Sequence, residues 1–257
     1  MAYEVSGEGP LMVLVPGMGD LRASYRFLAP LLRQAGYRVA GVDLRGHGDS
    51  DSSFASYGDA ETAGDVAALV EHLGAPAVLV GNSMGAAAAA LVAAERRELV
   101  SALVLAGPFL RDPQVSMAMR FLLRVALARP WTAAVWKFYL PRLYAGRRPA
   151  DLDAYVSAVV SALRRPGHAA AFSRTARTSH ARVEARLDEV TGVPTLVLMG
   201  ELDPDFPDPA QEAAWISQRL HAKVVMVPEA GHYPQSQQPE VVAGAITGFL
   251  TKLGDDA

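Results

Sequence analysis

Short apolar runs alternate along the chain with longer segments in which apolar residues recur at helical spacing. The apolar runs predict buried strands at residues 11–15, 37–42, 77–80, 102–105, 195–199 and 223–227, with a possible short strand at residues 3–5. The segments between them predict helices at residues 21–35, 60–73, 86–94, 209–220 and 239–253. Because strands and helices alternate, we predict an α/β fold with a mostly parallel sheet covered by helices on both faces.

This alternation stops in the middle of the chain. Residues 108–190 contain no strand pattern, and prolines and glycines separate predicted helices at residues 113–128, 131–144, 152–164 and 169–179. We therefore predict a core made of residues 1–107 and 191–257, into which residues 108–190 are inserted after the sixth strand as a helical lid, or cap.

Composition is typical of a globular protein with enough apolar residues for one large α/β domain, since 51% of the 257 residues are hydrophobic and 20% are charged. No apolar run is long enough to span a membrane, and the first residues, MAYEVSGEGP, lack the pattern of a secretory signal. We therefore expect a cytoplasmic protein. The chain has no cysteine, which excludes disulfides, thiol nucleophiles and thiolate metal sites.

Charge is distributed unevenly, although the net charge of −3 gives no reason to expect a nucleic-acid partner. Residues 108–190 carry 14 Lys and Arg against 6 Asp and Glu, which leaves 10 against 21 for the rest of the chain. We interpret the excess as arginines on exposed helix faces, while a role in binding an anion stays open. Residues 117–140 combine apolar and basic side chains and could touch lipid, but we expect no stable membrane association.

The turn after the strand at residues 77–80 carries a candidate nucleophile in the sequence GNSMG. Gly81 and Gly85 flank Ser83 because a sharp turn from strand to helix leaves no room for Cβ atoms there. Such a turn exposes the serine hydroxyl at the start of a helix, where free N–H groups favour developing negative charge. The pattern G-x-S-x-G also occurs in ordinary connections, but the aliphatic strand before it and the alanine-rich helix after it favour a nucleophile.

A candidate acid follows the strand at residues 195–199. Asp203 is the first acid after that strand, whereas Asp205 and Asp208 lie farther along and are expected to face solvent or cap the next helix. Because the carboxyl ends of parallel strands meet at one edge of the sheet, Asp203 is expected at the same edge as Ser83.

A candidate base follows the last strand. His232 lies in the glycine-containing loop after residues 223–227, while His47, between two glycines, is interpreted as structural. A serine hydroxyl needs a base to remove its proton, and a neutral histidine needs a carboxylate to hold the right tautomer. The sequence therefore predicts a triad of Ser83, His232 and Asp203.

A second glycine-containing loop, residues 16–20 (PGMGD), follows the strand at residues 11–15. If Ser83 is a nucleophile, the backbone N–H groups of Met18 and Met84 could face each other across the oxyanion that forms during acyl transfer. A simple glycine turn explains the loop equally well. No group of His, Asp and Glu has the spacing of metal ligands, so we expect neither a metal nor another cofactor.

Five motifs resemble, in order, those of the lid-bearing α/β-hydrolase family: LVPGMG, DLRGHGDS, VGNSMGA, GELDPDFP and PEAGHYPQ. The resemblance extends over residues 11–253. It implies that Ser83 is the nucleophile, that His232 is the general base and acid with Asp203 as its partner, and that the Met18 and Met84 amides form the oxyanion hole. Pro16 departs from the family, which often has His before the glycine, and this affects how the oxyanion loop is braced.

The resemblance implies a serine hydrolase for a small carboxylic ester or lactone, with an acyl-enzyme intermediate and an apolar or anionic acyl substrate. Serine at the elbow, in place of aspartate, argues against the epoxide hydrolases and haloalkane dehalogenases of this fold. The form GNSMG also resembles hydrolases of carbon–carbon bonds in ring-fission acids, but those carry Trp where this chain has Tyr233. Two further classes, cofactor-free perhydrolases and small-molecule receptors that keep the triad, also match these motifs.

Aromatic residues of the predicted lid are candidates for the substrate pocket. Trp131, Trp136 and Tyr139 lie in one predicted helix, and Tyr233 directly follows His232. These side chains could form an apolar wall above Ser83, although packing of the lid against the core explains them equally well. The helix pattern does not fix the oligomeric state, for which we expect a monomer or homodimer.

Overall fold

A computed structural model describes residues 1–255, apart from residues 114, 115, 117, 119–121, 123, 124 and 129. Its centre is a seven-stranded sheet in the order β1-β3-β2-β4-β5-β6-β7. The strands are β1 (Tyr3–Ser6), β2 (Leu11–Val15), β3 (Arg38–Val42), β4 (Ala77–Asn82), β5 (Val100–Ala106), β6 (Thr195–Gly200) and β7 (Lys223–Val227). β1 pairs with β3 in the antiparallel sense and the other pairs are parallel, so the predicted mostly parallel sheet is confirmed.

Helices connect the strands and also fill the long segment between β5 and β6. They are α1 (Leu28–Gln34), α2 (Asp59–Leu73), α3 (Met84–Glu95), α4 (Thr132–Leu143), α5 (Leu152–Leu163), α6 (His168–Thr175), α7 (Ala181–Arg186), α8 (Pro209–Leu220), α9 (Pro234–Gln237) and α10 (Pro239–Asp255). None of the described helices is long and apolar enough to cross a membrane.

Side chains of β2 alternate between two apolar layers, one on each face of the sheet. Val13 and Val15 pack in the layer that contains α2, α3 and α8, while Met12 and Leu14 pack in the layer that contains α1 and α10. Successive side chains of a strand point to opposite faces, so a strand buried on both faces is apolar throughout. This is why the apolar runs were recognisable as central strands, and the prediction of helices on both faces is confirmed.

The first predicted helix, at residues 21–35, begins later than its pattern suggested. A short 3-10 helix occupies Arg22–Tyr25, and α1 begins at Leu28. Pro30 lies in the first turn of α1, where a proline is tolerated, but its ring would clash with the carbonyl of residue 26 if the helix extended through that residue. The predicted helix at residues 169–179 also differs, because the chain leaves the helix after Thr175 and begins another, α7, at Ala181.

Helices α4 to α7 lie between β5 and β6, in the segment predicted to be a helical lid, residues 108–190, which we call the insertion. It follows the fifth strand of this chain, not the sixth, because the described residues before it contribute five strands to the sheet. The predicted helix at residues 113–128 lies partly outside the described residues. Trp136, Leu140, Tyr155 and Phe172 belong to a separate apolar cluster within the insertion, and the core residue Tyr233 completes it. The insertion therefore has its own packing and shares it with the loop that carries the candidate histidine.

Candidate active site

Ser83 lies at the turn between β4 and α3 with φ of 56° and ψ of −123°, a backbone conformation that non-glycine residues rarely adopt. A Cβ at Gly81 would lie 2.4 Å from the carbonyl oxygen of Gly85, and a Cβ at Gly85 would lie 2.3 Å from that of Val15. Both flanking positions therefore require glycine, as the sharp turn predicted. The turn holds Ser83 at the carboxyl end of a central strand.

The loop at residues 16–20, which the resemblance implies as part of an oxyanion hole and which we call the oxyanion loop, passes directly beside this serine. A Cβ at Gly17 would lie 2.8 Å from Ser83 Cβ and 3.4 Å from its Oγ, so only glycine allows the backbone to come this close. Met84, which follows the serine, is the first residue of α3, where N–H groups have no acceptor within the helix. The loop carrying Met18 and the start of α3 thus both lie beside Ser83, where the predicted oxyanion hole would form.

His232 and Asp203 form a buried hydrogen-bonded pair. His232 Nδ1 lies 2.8 Å from Asp203 Oδ2, and both side chains are almost completely buried. An ionised carboxylate only accepts hydrogen bonds, so Nδ1 carries the proton and Nε2 is left as the basic nitrogen. The backbone N–H of His232 donates to the carbonyl of Leu143 at 2.8 Å. This hydrogen bond anchors the loop after β7, residues 228–233, to the insertion, and we call this loop the histidine loop.

Charge around His232 changes the pKa of its imidazole. Burial lowers this pKa, but the negative charge and hydrogen bond of Asp203 outweigh burial, and the charge of Asp205 acts in the same direction. The pKa of His232 therefore lies above the ordinary value of 6.5. A raised pKa makes the imidazole a stronger base, at the cost that more of it is protonated at neutral pH.

Asp205 does not face solvent, contrary to the sequence prediction. Its Oδ2 lies 3.7 Å from His232 Nδ1, its carboxylate accepts the hydroxyl of Tyr139, and its backbone N–H donates to Asp203 Oδ1 at 3.0 Å. Burial raises the pKa of Asp205, although the charge of His232 opposes this. The prediction failed because α4 of the insertion covers the acid loop, and residue spacing cannot indicate such a long-range contact. Asp208 caps α8, as predicted, by accepting the N–H of Gln211.

Asn82 of the core and Phe109 of the segment after β5 bring the serine and the histidine together. Asn82 Nδ2 donates to the carbonyl oxygens of Ala106, at 2.9 Å, and of His232, at 3.0 Å. Phe109 donates its backbone N–H to Ser83 O at 3.4 Å, while its ring centroid lies 5.6 Å from that of His232. Among the described residues no hydrogen bond joins Ser83 Oγ to His232, and such bonds are often long before substrate binds.

The four candidate pocket residues lie in different environments. Trp131 is 49% exposed and donates its ring N–H to the carbonyl of Val125, whereas Trp136 is buried against the oxyanion loop. Tyr139 is partly exposed beside Asp205. Tyr233 is buried behind His232 and stacks on Tyr144 at 4.6 Å. Trp136 and Tyr139 contact the functional loops, while Tyr233 packs beneath them and Trp131 lies at the surface of the insertion.

Folding also brings together one group that could hold a metal ion. Among the described residues, Asp203, Asp205 and His232 each place one ligand-type atom within 4.8 Å of the others. The sequence argument against such a group considered only neighbouring residues and therefore missed this convergence. In the structure His232 Nδ1 already donates to Asp203, and the Asp205 carboxylate accepts Tyr139. These hydrogen bonds are the ones expected of an acid–base pair, His232 and Asp203, with the carboxylate of Asp205 beside it.

Sequence reasoning missed four side chains that shape this site: Asp20, Asn82, Phe109 and Asp205. Asn82 lies within the motif VGNSMGA and Asp20 within the loop PGMGD, and a polar side chain at the carboxyl end of a buried strand was a usable signal for Asn82. His47, which the sequence analysis interprets as structural, is buried with its Nδ1 3.0 Å from the carbonyl of Arg45, and its Nε2 has no hydrogen-bond partner among the described residues.

Comparison with known proteins gives matches over nearly the whole chain. A family model described as "Alpha/beta hydrolase family" matches residues 12–245. The 2-(acetamidomethylene)succinate hydrolase of Mesorhizobium japonicum is 28% identical over 254 residues, which cover 95% of this chain and 89% of that protein. Epoxide hydrolase 4 of Mus musculus is 26% identical over 280 residues, which cover 96% of this chain and 75% of that protein.

Solved structures give the same result for the fold. A thermophilic esterase from Thermogutta terrifontis has a TM-score of 0.78 at 26% sequence identity, and the match covers 98% of this chain and 93% of that one. The match therefore includes the helical insertion as well as the sheet and its covering helices.

Proposed function

This chain belongs to the alpha/beta hydrolase family, and on that premise we propose that it is a serine hydrolase that cleaves a small carboxylic ester or lactone. The observation that carries the proposal is the buried pair of His232 and Asp203 at the same edge of the sheet as the strained Ser83 turn. A nucleophile, a base and an orienting carboxylate are the groups that acyl transfer requires.

The reaction follows from these positions. Ser83 Oγ attacks the carbonyl carbon of the ester while His232 Nε2 takes the hydroxyl proton, and the backbone N–H groups of Met18 and Met84 stabilise the resulting oxyanion. The tetrahedral intermediate collapses as His232 gives its proton to the leaving alkoxide, which leaves an acyl group on Ser83. Water then attacks the acyl carbon while His232 accepts its proton. His232 returns this proton to Ser83 Oγ as the bond between Ser83 and the acyl group breaks, which releases the carboxylic acid.

Two comparisons support this choice of reaction. The Thermogutta terrifontis protein is described as an esterase, and the Mesorhizobium japonicum protein is described as a hydrolase whose named substrate is a succinate. The relative described as an epoxide hydrolase does not change the proposal, because serine at the turn favours an acyl-enzyme. We propose that residues 108–190 act as a lid that selects the acyl group. The cytoplasmic location and the oligomeric state stay predictions.

The test is steady-state hydrolysis of p-nitrophenyl esters of increasing acyl length, with one anionic half-ester of a dicarboxylic acid in the series. Ser83→Ala is expected to lower kcat by about 10⁴-fold or more, because no other residue replaces the nucleophile. Ser101→Ala, an exposed serine on β5, is the matched control. Multiple turnovers that survive in Ser83→Ala would overturn the assignment.

Wild-type protein that reacts once with a fluorophosphonate but releases no product from any ester would contradict ester hydrolysis. Repeating the series with a ring-fission acid then distinguishes a carbon–carbon bond hydrolase from a receptor that keeps the triad. An optimum at short acyl chains supports the small-substrate proposal, while preference for the anionic half-ester would assign a function to the basic charge of the insertion.

A further inference from the structure

We propose that two side chains of the helical insertion, Trp136 of α4 and Tyr155 of α5, are positioning residues that hold the oxyanion loop. They would keep the N–H of Met18 directed at the reacting carbonyl oxygen, although neither side chain touches the substrate carbon. This inference rests on the proposed serine-hydrolase function and adds the structural origin of its oxyanion hole.

Trp136 fixes the backbone directly after Met18. Its ring N–H donates to the carbonyl oxygen of Gly19 at 2.8 Å, and the side chain is only 4% exposed. Gly19 has φ of +75°, and a Cβ there would lie 2.6 Å from the Trp136 ring and 2.4 Å from that of Phe172. The aromatic rings of the insertion thus press against a residue that only glycine can occupy, and one hydrogen bond sets the orientation of its carbonyl.

Tyr155 holds the loop at its other end. Its hydroxyl donates to Asp20 Oδ1, which also accepts the backbone N–H of Leu21 at 2.9 Å. Asp20 is completely buried, and its Oδ2 has no hydrogen-bond partner in the part of the chain that the structure describes. Burial raises the pKa of Asp20 to about 7, although the hydrogen bond from Tyr155 opposes this. Without the Tyr155 hydroxyl, this carboxylate would keep one backbone donor.

The helix that carries Tyr155 is tied to the core beside the same loop. Arg26 makes two hydrogen bonds to the carboxylate of Asp151, at 2.7 and 2.6 Å, at the residue that precedes α5. The Arg26 guanidinium also lies 4.3 Å from the centre of the Tyr155 ring. A forked ion pair of this kind fixes both direction and distance, so the Tyr155 hydroxyl is delivered to Asp20 in one orientation.

The oxyanion loop needs hydrogen bonds from the insertion because its first residue cannot hold it in place. Pro16 has no N–H and no polar side chain, so it can donate no hydrogen bond that would brace the loop from its own side. Asp20 also borders a small cavity whose lining includes His47 and His168. Within the described residues, the side-chain donors to the loop are therefore those of Trp136 and Tyr155.

An oxyanion hole lowers the barrier only if its donors are already in place when charge develops. A loop that lost its braces would still admit the ester but would stabilise the transition state less. Such a change lowers kcat while KM stays nearly constant, since the interaction is made only in the transition state. A general loss of folding would instead reduce the concentration of active sites, which a fluorophosphonate titration measures independently.

The experiment compares Trp136→Phe and Tyr155→Phe, which remove one hydrogen-bond donor each and retain an aromatic ring. Per titrated active site, Trp136→Phe is expected to lower kcat by about 10- to 100-fold and Tyr155→Phe by about 5-fold, with KM changed by less than about 3-fold. The affinity for a trifluoromethyl ketone, whose serine adduct carries the oxyanion, is expected to fall by a similar factor.

Matched controls make the same chemical changes elsewhere. Trp215→Phe alters a partly buried tryptophan of α8, and Tyr57→Phe removes a buried hydroxyl that donates to Ser52 O at 2.7 Å. Hydrogen–deuterium exchange of the peptide that spans residues 17–21 supplies a readout without substrate. This exchange is expected to quicken in Trp136→Phe and Tyr155→Phe and to stay unchanged in both controls.

The outcomes separate this inference from the proposed function. If wild-type protein hydrolyses no ester but exchange at residues 17–21 quickens in the two variants alone, the proposed function fails and the bracing role stands. If wild-type protein hydrolyses esters while kcat, ketone affinity and exchange are unchanged in both variants, the bracing role is overturned. Equal losses in variants and controls would also overturn it, because they would reflect packing in general.

Discussion

The Ser83 turn and the helical insertion contribute to the same site in different ways. At the turn, the left-handed backbone of Ser83 and the close approach of Gly81 to the carbonyl oxygen of Gly85 involve near neighbours, and only the space at Gly85 is closed by another core segment, the end of β2 at Val15. In the insertion, the side chains and carbonyls that act on the site come from far along the chain. The comparison teaches that a reactive group can be specified locally while the loops around it depend on a distant segment.

Helix α4 touches all three functional loops. Trp136 donates to Gly19 in the oxyanion loop, Tyr139 donates to Asp205 in the acid loop, and Leu143 accepts the N–H of His232. Trp136 and Tyr139, three residues apart, lie on one face of α4. Leu143 is the last residue of the helix, where backbone carbonyls have no partner within the helix, so a single helix can reach all three loops. The residues proposed for the chemistry are all in the core, but contacts that fix their loops come from the insertion.

The first prediction, which has the largest expected effect of the three that follow, tests whether Asp203 of the core orients His232. Asp203→Asn is expected to lower kcat/KM by about 10³- to 10⁴-fold, because an amide facing Nδ1 favours the wrong tautomer of His232. Asp205→Asn leaves the 2.8 Å contact of Asp203 intact and is expected to cost less than about 10-fold. Steady-state kinetics on both variants checks the order, and a larger loss in Asp205→Asn would show that the acid had been assigned to the wrong carboxylate.

The second prediction tests whether the insertion positions the loop that carries His232. Gly146 pairs with Ala230 in an isolated bridge, and a Cβ at Gly146 would lie 2.4 Å from the carbonyl oxygen of Glu229. Gly146→Ala is therefore expected to displace the histidine loop and lower kcat by about 10-fold, through a change remote in sequence from the triad.

Gly192→Ala provides the matched control for that variant. Gly192 also has a positive φ, of +67°, but a Cβ there would meet no atom within 4 Å. Both variants are expected to lose about 1 kcal/mol of stability from backbone strain, measured by urea unfolding, and Gly146→Ala is expected to lose more because of the clash. Only Gly146→Ala is expected to lose activity. Equal activities in the two variants would show that the contact at Gly146 does not position His232.

The smallest expected effect is a shift in pH dependence. The base must be neutral to act, so kcat/KM is expected to rise with pH through the pKa of His232, which Asp203 and Asp205 hold above 6.5. Asp205→Asn removes one of the charges that raise this pKa, and the rising limb should move to lower pH. A pH–rate profile of both proteins measures the shift, and a limb that moves to higher pH in the variant would contradict this electrostatic account.

Several features of this protein could be predicted from sequence because their causes are local. The strands were recognisable because a strand buried on both faces must be apolar, and the Ser83 turn because a sharp turn from strand to helix requires glycine beside the serine, as the contact between Gly81 and Gly85 shows. The order of Ser83, Asp203 and His232 after successive strands also indicated their shared edge of the sheet. These inferences needed only hydrophobic periodicity, glycine positions and the geometry of a parallel sheet.

The tertiary structure alone decided what surrounds those residues. Trp136 is 117 residues from the Gly19 carbonyl that it contacts, and Tyr155 is 135 residues from Asp20. Asp205 was expected in solvent because nothing near it in sequence indicates that α4 covers it. Such long-range contacts depend on how the insertion packs against the core. The periodicity of apolar residues indicates only which face of each helix or strand is buried. The sequence therefore determined the sheet and the candidate triad, while the fit of the insertion decided how its loops are held.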